Sequence, residues 1–231
     1  MRPALLLAPL ALALMLVAAG CGGSSPTTAA TPATQPAGAT TAAAVGADGC
    51  TDVTLPPPRA DGGARKPKGQ LDPGKTYRLV FKTNCGSFTV TLDPKSAPAT
   101  TASLVSLAKA KFFDNTIFHR IVPGFVIQGG DPTQSGSGGP GYRTIDPPAV
   151  GSHYARGVVA MAKTQAEPAG AAGSQFFVVT GADAGLPPDY AIVGKVTGGL
   201  PVVLRIGKLG DAATEQPTRP VVISSVTVEE Q

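Results

Sequence analysis

The sequence predicts a mainly β protein whose strands close into an antiparallel barrel. From residue 76 to the C-terminus, seven or eight short stretches alternate apolar and polar residues, as strands with one buried face do. Glycine and proline are frequent, with 29 and 23 among 231 residues, and clusters of them separate these stretches as turns. Only two stretches fit short helices, which favours a closed antiparallel barrel over an α/β sheet.

The predicted strands are placed by this alternation and by the turns between them. They cover residues 76–83, 86–92, 117–122, 125–128, 158–162, 175–180, 191–196 and 221–228. One helix follows residue 96, where Ser96 is a candidate N-cap, and a second short helix covers residues 202–206. We expect these elements to form one folded domain over residues 76–231.

The hairpin formed by residues 117–128 carries an unusual set of polar side chains. Alternation places Phe118 and Arg120 on one face of its first strand and His119 on the other. A Pro-Gly turn then returns the chain, so that Phe125 and Gln128 of the second strand lie beside Arg120. The pattern fits either an ordinary hairpin with a solvated arginine or a binding site that needs a cation among apolar groups.

The strand over residues 175–180 repeats this combination of an amide and an aromatic ring. Gln175 and Phe177 share one face, whereas Phe176 lies on the other. Together with Arg120 and its neighbours, they predict an apolar pocket rimmed by one cation and two amides. Since no nucleophile accompanies it, the pocket suits chemistry without covalent attack.

Other motifs give weaker signals. Residues 136–141 match G-x-G-x-x-G, but Pro140 interrupts the motif and no helical pattern follows, which favours a tight surface loop over a dinucleotide site. The only two histidines, His119 and His153, are expected to be structural. Without a G-x-S-x-G or H-E-x-x-H motif, we expect no catalytic triad, no metal and no cofactor. The net charge of +4 is modest and the basic cluster at 65–68 fits a solvated linker, so nucleic-acid binding is not expected.

The first 47 residues have the composition of a lipoprotein leader and tether. Residues 1–20 combine Arg2 with an apolar run shorter than the ~20 residues of a membrane-spanning helix, as signal peptides do. Residues 17–21 resemble a bacterial lipobox, which implies lipidation of Cys21 and an extracytoplasmic protein anchored to the cell membrane. A plain secretory signal with an incidental cysteine is the alternative. Residues 21–47, rich in Ala, Thr, Pro and Gly, predict a disordered tether.

A Pro-rich extension covers residues 48–75 and contains one of the two remaining cysteines. In an exported protein, an even pair of cysteines predicts a disulfide, here between Cys50 and Cys85. The bridge would close a loop of about 35 residues and stabilise the fold by about 3–4 kcal/mol if it is unstrained. It would also hold the extension against the domain.

Four blocks of residues, 118–131, 138–142, 157–162 and 173–177, occur in an informative order. The first resembles the signature of the cyclophilin-type peptidyl-prolyl isomerases, and the others match further blocks of that family. The resemblance extends over about residues 77–228, the whole predicted domain. It implies a closed eight-stranded antiparallel β-barrel capped by two α-helices, with a site on the outer face that catalyses X-Pro isomerisation without a cofactor.

The resemblance also implies roles for individual residues. Arg120 would donate a hydrogen bond to the prolyl nitrogen as that nitrogen becomes pyramidal, and Gln128 would hold the substrate carbonyl and support Arg120. Arg120, Phe125 and Gln128 form the implied catalytic group. The implied substrate-binding residues are Val126, Phe177, Leu186 and Tyr190 around the proline ring, and Gln175 with the backbone of Ala162 and Lys163 along the peptide.

Four positions depart from the residues that are common in this family. Val126 stands where Met is common, which predicts a looser proline pocket, and Lys163 stands where Asn is common. Gly185 takes the place of a common Trp and Tyr190 that of a common His. Because the Trp indole is a donor that matters to cyclosporin binding, the resemblance implies weak cyclosporin sensitivity with activity retained.

We therefore expect a monomeric, membrane-tethered prolyl isomerase that acts on proline-containing unfolded or exported polypeptides. Two other functions stay open on the sequence alone. The first is a proline-peptide binding module or chaperone with little turnover on the same pocket, and the second is a structural envelope lipoprotein. Turnover on an Ala-Pro peptide separates the isomerase from both.

Overall fold

A computed structural model describes residues 44–231 of the chain. The predicted signal peptide, Cys21 and the tether up to residue 43 lie outside these described residues. Within residues 44–231, no helix is both long enough and apolar enough to cross a membrane.

In the part of the chain that the structure describes, ten strands and two helices follow one another. Their bounds are β1 Tyr77–Thr83, β2 Gly86–Leu92, α1 Pro98–Lys109, β3 Thr116–Val122, β4 Val126–Asp131, β5 Thr144–Ile145, β6 Val158–Met161, β7 Ala171–Ala172, β8 Phe176–Val179, β9 Ile192–Gly198, α2 Leu200–Ile206 and β10 Val222–Glu230.

Eight of these strands close into a barrel in the order β1-β10-β3-β4-β8-β6-β9-β2. Every pairing within the barrel is antiparallel. The other two strands, β5 and β7, pair with each other in a separate small sheet. The predicted closed eight-stranded barrel with two helices is confirmed, and the observed bounds differ from the predicted ones mainly at strand ends.

Aromatic rings fill the interior of the barrel. Phe81 of β1 stacks on Phe88 of β2 with the ring centroids 4.7 Å apart, and Phe118 of β3 meets Phe176 of β8 edge to face at 6.0 Å. All four rings are buried, because each belongs to the inward face of its strand. Since side chains fill the interior, a peptide site has to lie on the outside of the barrel.

A bulge in β3 changes which side chains of the central hairpin point outward. Phe118 pairs with Gly129 and Arg120 pairs with Gln128, so two steps along β3 match one step along β4. Phe118 therefore enters the core while Arg120 stays at the surface, and the prediction that they share a face is wrong. Gly129 makes this arrangement possible, since a Cβ there would lie 2.8 Å from the Ile117 carbonyl oxygen.

Helix α1 is capped from a distant part of the chain. The predicted cap, Ser96, instead donates its hydroxyl to Asp93 at 2.6 Å, and Ala97 occupies the N-cap position without a side-chain hydrogen bond. The buried carboxylate of Asp146 accepts from the amide of Thr100 at 2.6 Å and takes over the capping. A carboxylate at this end of a helix is favourable, because the free amides point towards it.

Residues 44–75 lie against the barrel without a regular strand or helix. Cys50 is fully buried and forms a disulfide with Cys85 in the turn between β1 and β2. Beside it, the Thr51 amide donates to the Asn84 carbonyl at 2.8 Å. Farther along the chain, Ala64 packs against the barrel core. The extension is therefore in contact with the barrel at several points between the disulfide and β1.

Candidate active site

A cavity of about 240 Å³ lies on the outer face of the barrel, beside the β3–β4 hairpin and β8. Nine of the ten residues assigned to catalysis and substrate binding line it: Arg120, Phe125, Val126, Gln128, Ala162, Lys163, Phe177, Leu186 and Tyr190. The tenth, Gln175, lines a neighbouring cavity of about 190 Å³ that shares Gln128, Ala162 and Lys163 with the first. The structure thus brings all ten into one continuous groove.

The floor of the larger cavity is apolar. Val126 and Phe177 are only 2% and 5% exposed, because both project from neighbouring barrel strands into a second, smaller hydrophobic cluster. The Phe177 ring meets the Tyr190 ring edge to face at 5.7 Å. This floor can hold a small apolar ring in contact with aromatic faces.

Tyr154 supports this floor from behind, although no sequence pattern marks it as a site residue. It is fully buried, and its hydroxyl donates to the Tyr190 carbonyl oxygen at 2.8 Å and accepts from the Tyr190 amide at 3.0 Å. One phenol therefore satisfies both backbone groups of a residue in the cavity wall. Burial raises the pKa of Tyr154, so the hydroxyl keeps its proton.

The polar rim is a chain of hydrogen bonds that crosses the groove. Arg120 donates from Nη1 to Gln128 Oε1 at 3.3 Å, and Gln128 donates from Nε2 to Gln175 Oε1 at 3.0 Å. Gln175 then donates to the carbonyl oxygens of Gly136 and Gly138, each at 2.9 Å. Both amide hydrogens of Gln175 are used in this way, so its peptide contact is restricted to its oxygen.

Glu215 orients the arginine from the other side. Its carboxylate accepts from Arg120 Nε at 2.6 Å, and the two side chains are 44% and 34% exposed. The Glu215 carbonyl also accepts from the amide of Ile121 at 2.8 Å, which holds its loop against β3. Glu215 lies 95 residues from Arg120 in sequence, in a turn whose pattern gave no functional signal.

Asp131 organises the loop that ends this chain of hydrogen bonds. Its carboxylate accepts from the amides of Thr133, Gly136 and Gly138 at 2.7, 2.6 and 3.2 Å. Burial by itself would raise the pKa of Asp131. The hydroxyl of Thr133, which donates to the carboxylate at 2.8 Å, and these three amides outweigh burial and hold the pKa below its usual value. The loop therefore presents its carbonyl groups to Gln175 in a fixed arrangement.

The side chain of Lys163 contacts protein groups that form the walls of the groove. It is only 3% exposed, pairs with Asp189 and donates to the Glu167 carbonyl at 3.1 Å. Its ammonium also lies 5.4 Å from the centre of the Tyr190 ring. Lys163 thus joins the segments on the two sides of the groove, a role that its position in the sequence did not indicate.

The smaller cavity also contains an ion pair between Arg143 and Glu167. Arg143 Nε donates to Glu167 Oε1 at 2.6 Å, and the other carboxylate oxygen accepts from the Thr164 amide at 2.7 Å. Together these hydrogen bonds lower the pKa of Glu167 from its usual 4.5 to about 2. Glu167 is therefore ionised throughout the physiological pH range.

The remaining predicted positions lie away from the cavity floor. Both ring nitrogens of His119 are buried without a partner, and burial lowers its pKa, as suits a neutral structural side chain. His153 is 83% exposed. The loop over residues 136–141 connects β4 to the short strand β5, and no helix follows it. Gly185 has a left-handed φ of +62° and open space around it, so no indole donor lies there.

Comparison with known proteins identifies the family. The family model described as cyclophilin type peptidyl-prolyl cis-trans isomerase matches residues 78–228. The chain belongs to the cyclophilins. It is therefore a peptidyl-prolyl cis-trans isomerase of this type, and residues 44–77 precede the region that the family model matches.

Several relatives of this cyclophilin have similar sequences. A peptidyl-prolyl cis-trans isomerase of Arabidopsis thaliana is 38% identical over 155 residues, which cover 65% of this chain and 30% of the plant protein. Peptidyl-prolyl cis-trans isomerase A of Mycobacterium tuberculosis is 35% identical over 173 residues, which cover 68% of this chain and 94% of the relative. The match therefore covers less than a third of the plant protein but nearly all of the mycobacterial one.

The fold is also similar to that of solved cyclophilins. A crystal structure of a Cryptosporidium parvum cyclophilin, determined in the presence of the dipeptide Ala-Pro, matches with a TM-score of 0.61 at 28% sequence identity. The match covers 66% of this chain and 98% of the Cryptosporidium chain. About a third of this chain therefore has no counterpart in the Cryptosporidium chain.

Proposed function

We propose that this cyclophilin accelerates the isomerisation of X-Pro bonds in exported polypeptides, with Arg120 acting on the twisted prolyl amide. The observation that carries the proposal is the guanidinium of Arg120, held between Glu215 and Gln128 at the edge of an apolar cavity. Glu215 takes Nε–H and Gln128 takes one Nη1–H, which leaves further N–H groups to meet a substrate.

The chemistry needs no covalent intermediate. The barrier to rotation about a peptide bond is about 18–20 kcal/mol because amide resonance has to be broken. A turnover near 10³ s⁻¹ corresponds to a barrier of about 13 kcal/mol, so the protein has to supply roughly 5–7 kcal/mol. As the bond twists, the nitrogen lone pair localises and becomes an acceptor. A donor at that nitrogen then stabilises the transition state more than the ground state, as catalysis requires.

The other groups would hold the substrate while the bond rotates. The proline ring would enter the apolar floor over Val126 and Phe177, beside Phe125. Gln128 Nε2 keeps one hydrogen after its bond to Gln175, and that hydrogen would hold a substrate carbonyl. With the ring and one carbonyl fixed, rotation is confined to the prolyl bond.

A protease-coupled or NMR exchange assay on an Ala-Pro peptide tests this proposal. The wild-type chain should accelerate isomerisation well above the rate in buffer, and Arg120→Ala should lose most of that acceleration. Arg78→Ala is the matched control, since Arg78 lies on β1 and bonds to Gln231 far from the groove. A wild-type rate equal to that in buffer would contradict isomerase activity. Retained peptide binding in that case would favour the binding module.

We also propose that lipidated Cys21 anchors the protein outside the cytoplasm. The proposal is supported by the lipobox-like residues 17–21 and by the uncharged segment that follows. Labelling of growing cells with a palmitate analogue should mark the wild-type chain and fail to mark Cys21→Ser. If both chains are labelled alike, or neither is, Cys21 is not the lipidation site.

A further inference from the structure

The Pro-rich extension forms a specific contact with one side of the groove. We call residues 54–66 the strap and residues 132–143 the site loop. The strap crosses the outer side of the site loop, whose inner side supplies the carbonyl groups that accept from Gln175. The strap lies outside residues 78–228, the region that the family model matches.

The first part of the strap is attached at its backbone. The Arg59 amide donates to the carbonyl of Pro132 at 2.8 Å, and Gln134 Nε2 donates to the carbonyl of Pro56 at 2.8 Å. The Arg59 guanidinium also donates to the Phe112 carbonyl and lies 5.8 Å from the centre of the Phe112 ring. The strap donates one of these hydrogen bonds to the loop and accepts another from it, so the register of the strap on the loop is defined.

The second part of the strap pairs with the glycine-rich half of the site loop. The amides of Gly62 and Ala64 donate to the carbonyls of Gly139 and Pro140 at 2.9 and 3.1 Å. In return, the Gly139 amide donates to the Asp61 carboxylate at 2.7 Å. Beyond them, Lys66 donates to the Arg143 carbonyl at 2.7 Å.

The site loop needs such support because of its composition. It contains four glycines, and ordering glycine costs more backbone entropy than ordering other residues. Asp131 fixes the inner turn of the loop, and the strap fixes its outer part. Through Gln175, the position of the loop determines where the Gln128 side chain lies.

We propose that the strap is a built-in positioning element of the peptide-binding site. It is held at one end by the Cys50–Cys85 disulfide and continues at the other end into β1, so it stays on the loop without being part of the barrel. The inference rests on the proposed function, because it assigns the strap to substrate binding. The strap reaches the site through Gln175 and Gln128, whereas the hydrogen bond from Arg120 to Glu215 lies outside this path. We therefore expect the strap to act mainly on peptide affinity and only weakly on the chemical step.

A nicked form of the protein tests this inference. A protease recognition sequence is inserted between Gly69 and Gln70, which are exposed, and the chain is cleaved there. The disulfide then keeps the strap attached, and reduction of the disulfide frees it. Amide hydrogen exchange at Gly139, whose amide donates to Asp61, reports whether the strap has left. Uncut protein under the same reducing conditions is the control for loss of the disulfide itself.

Release of the strap should raise the dissociation constant of a proline-containing tetrapeptide by about 3- to 10-fold, the effect of roughly one lost hydrogen bond. The isomerisation rate at saturating peptide should change by less than about twofold, because Glu215 still orients Arg120. An unchanged dissociation constant with fast exchange at Gly139 overturns the inference. If the cleaved protein binds peptide normally before reduction but does not accelerate isomerisation, the result counts against the isomerase proposal instead.

If the strap of the cleaved protein remains bound after reduction, substitutions in the uncut chain can weaken its attachment instead. Peptide affinity with the strap attached and with it loosened can then still be compared. Arg59→Ala combined with Asp61→Ala removes two of its side-chain anchors, and Arg65→Ala is the matched control on an exposed position of the same segment. The double variant should weaken peptide binding by a similar factor, and the control should not. Equal affinities for both variants and the wild type refute a positioning role.

Discussion

The two sides of the larger cavity are built in different ways. On the apolar side, Val126 and Phe177 project from neighbouring barrel strands and are 2% and 5% exposed. On the polar side, the half-exposed Arg120 is oriented by Glu215, which belongs to a loop. The side chains on the apolar side therefore contribute to the folding stability of the barrel, whereas those on the polar side can be substituted without unfolding it. Substitutions on the two sides should separate stability from activity.

Among these substitutions, Phe177→Ala on the apolar side should reduce folding stability the most. Phe177→Ala removes a buried ring that packs on Tyr154 and Tyr190, and it should lower the free energy of unfolding by about 3–5 kcal/mol. Urea unfolding of the purified protein measures this change. Leu186→Ala, on the partly exposed rim of the same cavity, should cost clearly less. Equal losses for the two variants would show that the floor is not part of the folding core.

A second substitution on the apolar side removes a single hydroxyl. Tyr154→Phe leaves the amide and carbonyl of Tyr190 without their buried partner, which should cost about 1–3 kcal/mol of folding stability. The Tyr190 wall should also become less ordered, and the KM for peptide should rise. Thermal unfolding and steady-state kinetics measure the two effects. A fully stable variant with an unchanged KM would mean that the phenol does not hold this wall.

A substitution on the polar side should lower activity more than it lowers folding stability. Glu215→Gln keeps the size of the side chain but weakens the hydrogen bond that orients Arg120, so kcat/KM should fall by about 3- to 10-fold. The free energy of unfolding should change by less than about 1 kcal/mol, because the ion pair is partly exposed. Glu229→Gln is an exposed control on β10 that should change neither quantity. A large stability loss with normal kinetics would contradict the comparison.

The smallest expected effect concerns pH and the second cavity. The pKa of Glu167 is about 2 in the folded protein against its usual 4.5, so its ion pair contributes stability above pH 4.5. That contribution is lost as the pH falls from about 4.5 towards 2. Glu167→Gln should therefore lower Tm by about 2–4 °C at pH 7, the shift that about 1 kcal/mol produces in a chain of this size. The difference should shrink as the pH falls to about 2, and a difference that stays constant would disprove this assignment.

The barrel could be predicted from the sequence because its signals are local. Alternation along each strand and glycine or proline between strands mark the elements, and the inward Phe176 and outward Phe177 follow that rule. The bulge in β3 could not be predicted, since one unpaired residue leaves no mark in the pattern of apolar residues. It reversed the expected side of Phe118 while leaving Arg120 at the surface.

The supports of the site could not be predicted for a different reason. Glu215, Asp146 and the strap act across separations of dozens of residues, and each uses an ordinary polar group that carries no motif. Tyr154 also looks like any apolar residue of a β-rich chain until its hydroxyl is placed against Tyr190. The residues proposed to touch substrate were recognisable by family resemblance. The residues that orient them required the structure.

The proposed action of Arg120 on the transition state can be tested by measuring rate and affinity separately in Arg120→Ala. NMR exchange spectroscopy with an Ala-Pro peptide gives both the rate of interconversion on the enzyme and the dissociation constant. If Arg120 acts on the transition state, the rate should fall by about 10²- to 10³-fold while the dissociation constant changes by less than about 3-fold. If the dissociation constant instead rises by the same factor as kcat/KM falls, with the on-enzyme rate unchanged, Arg120 is a ground-state contact and does not act on the transition state.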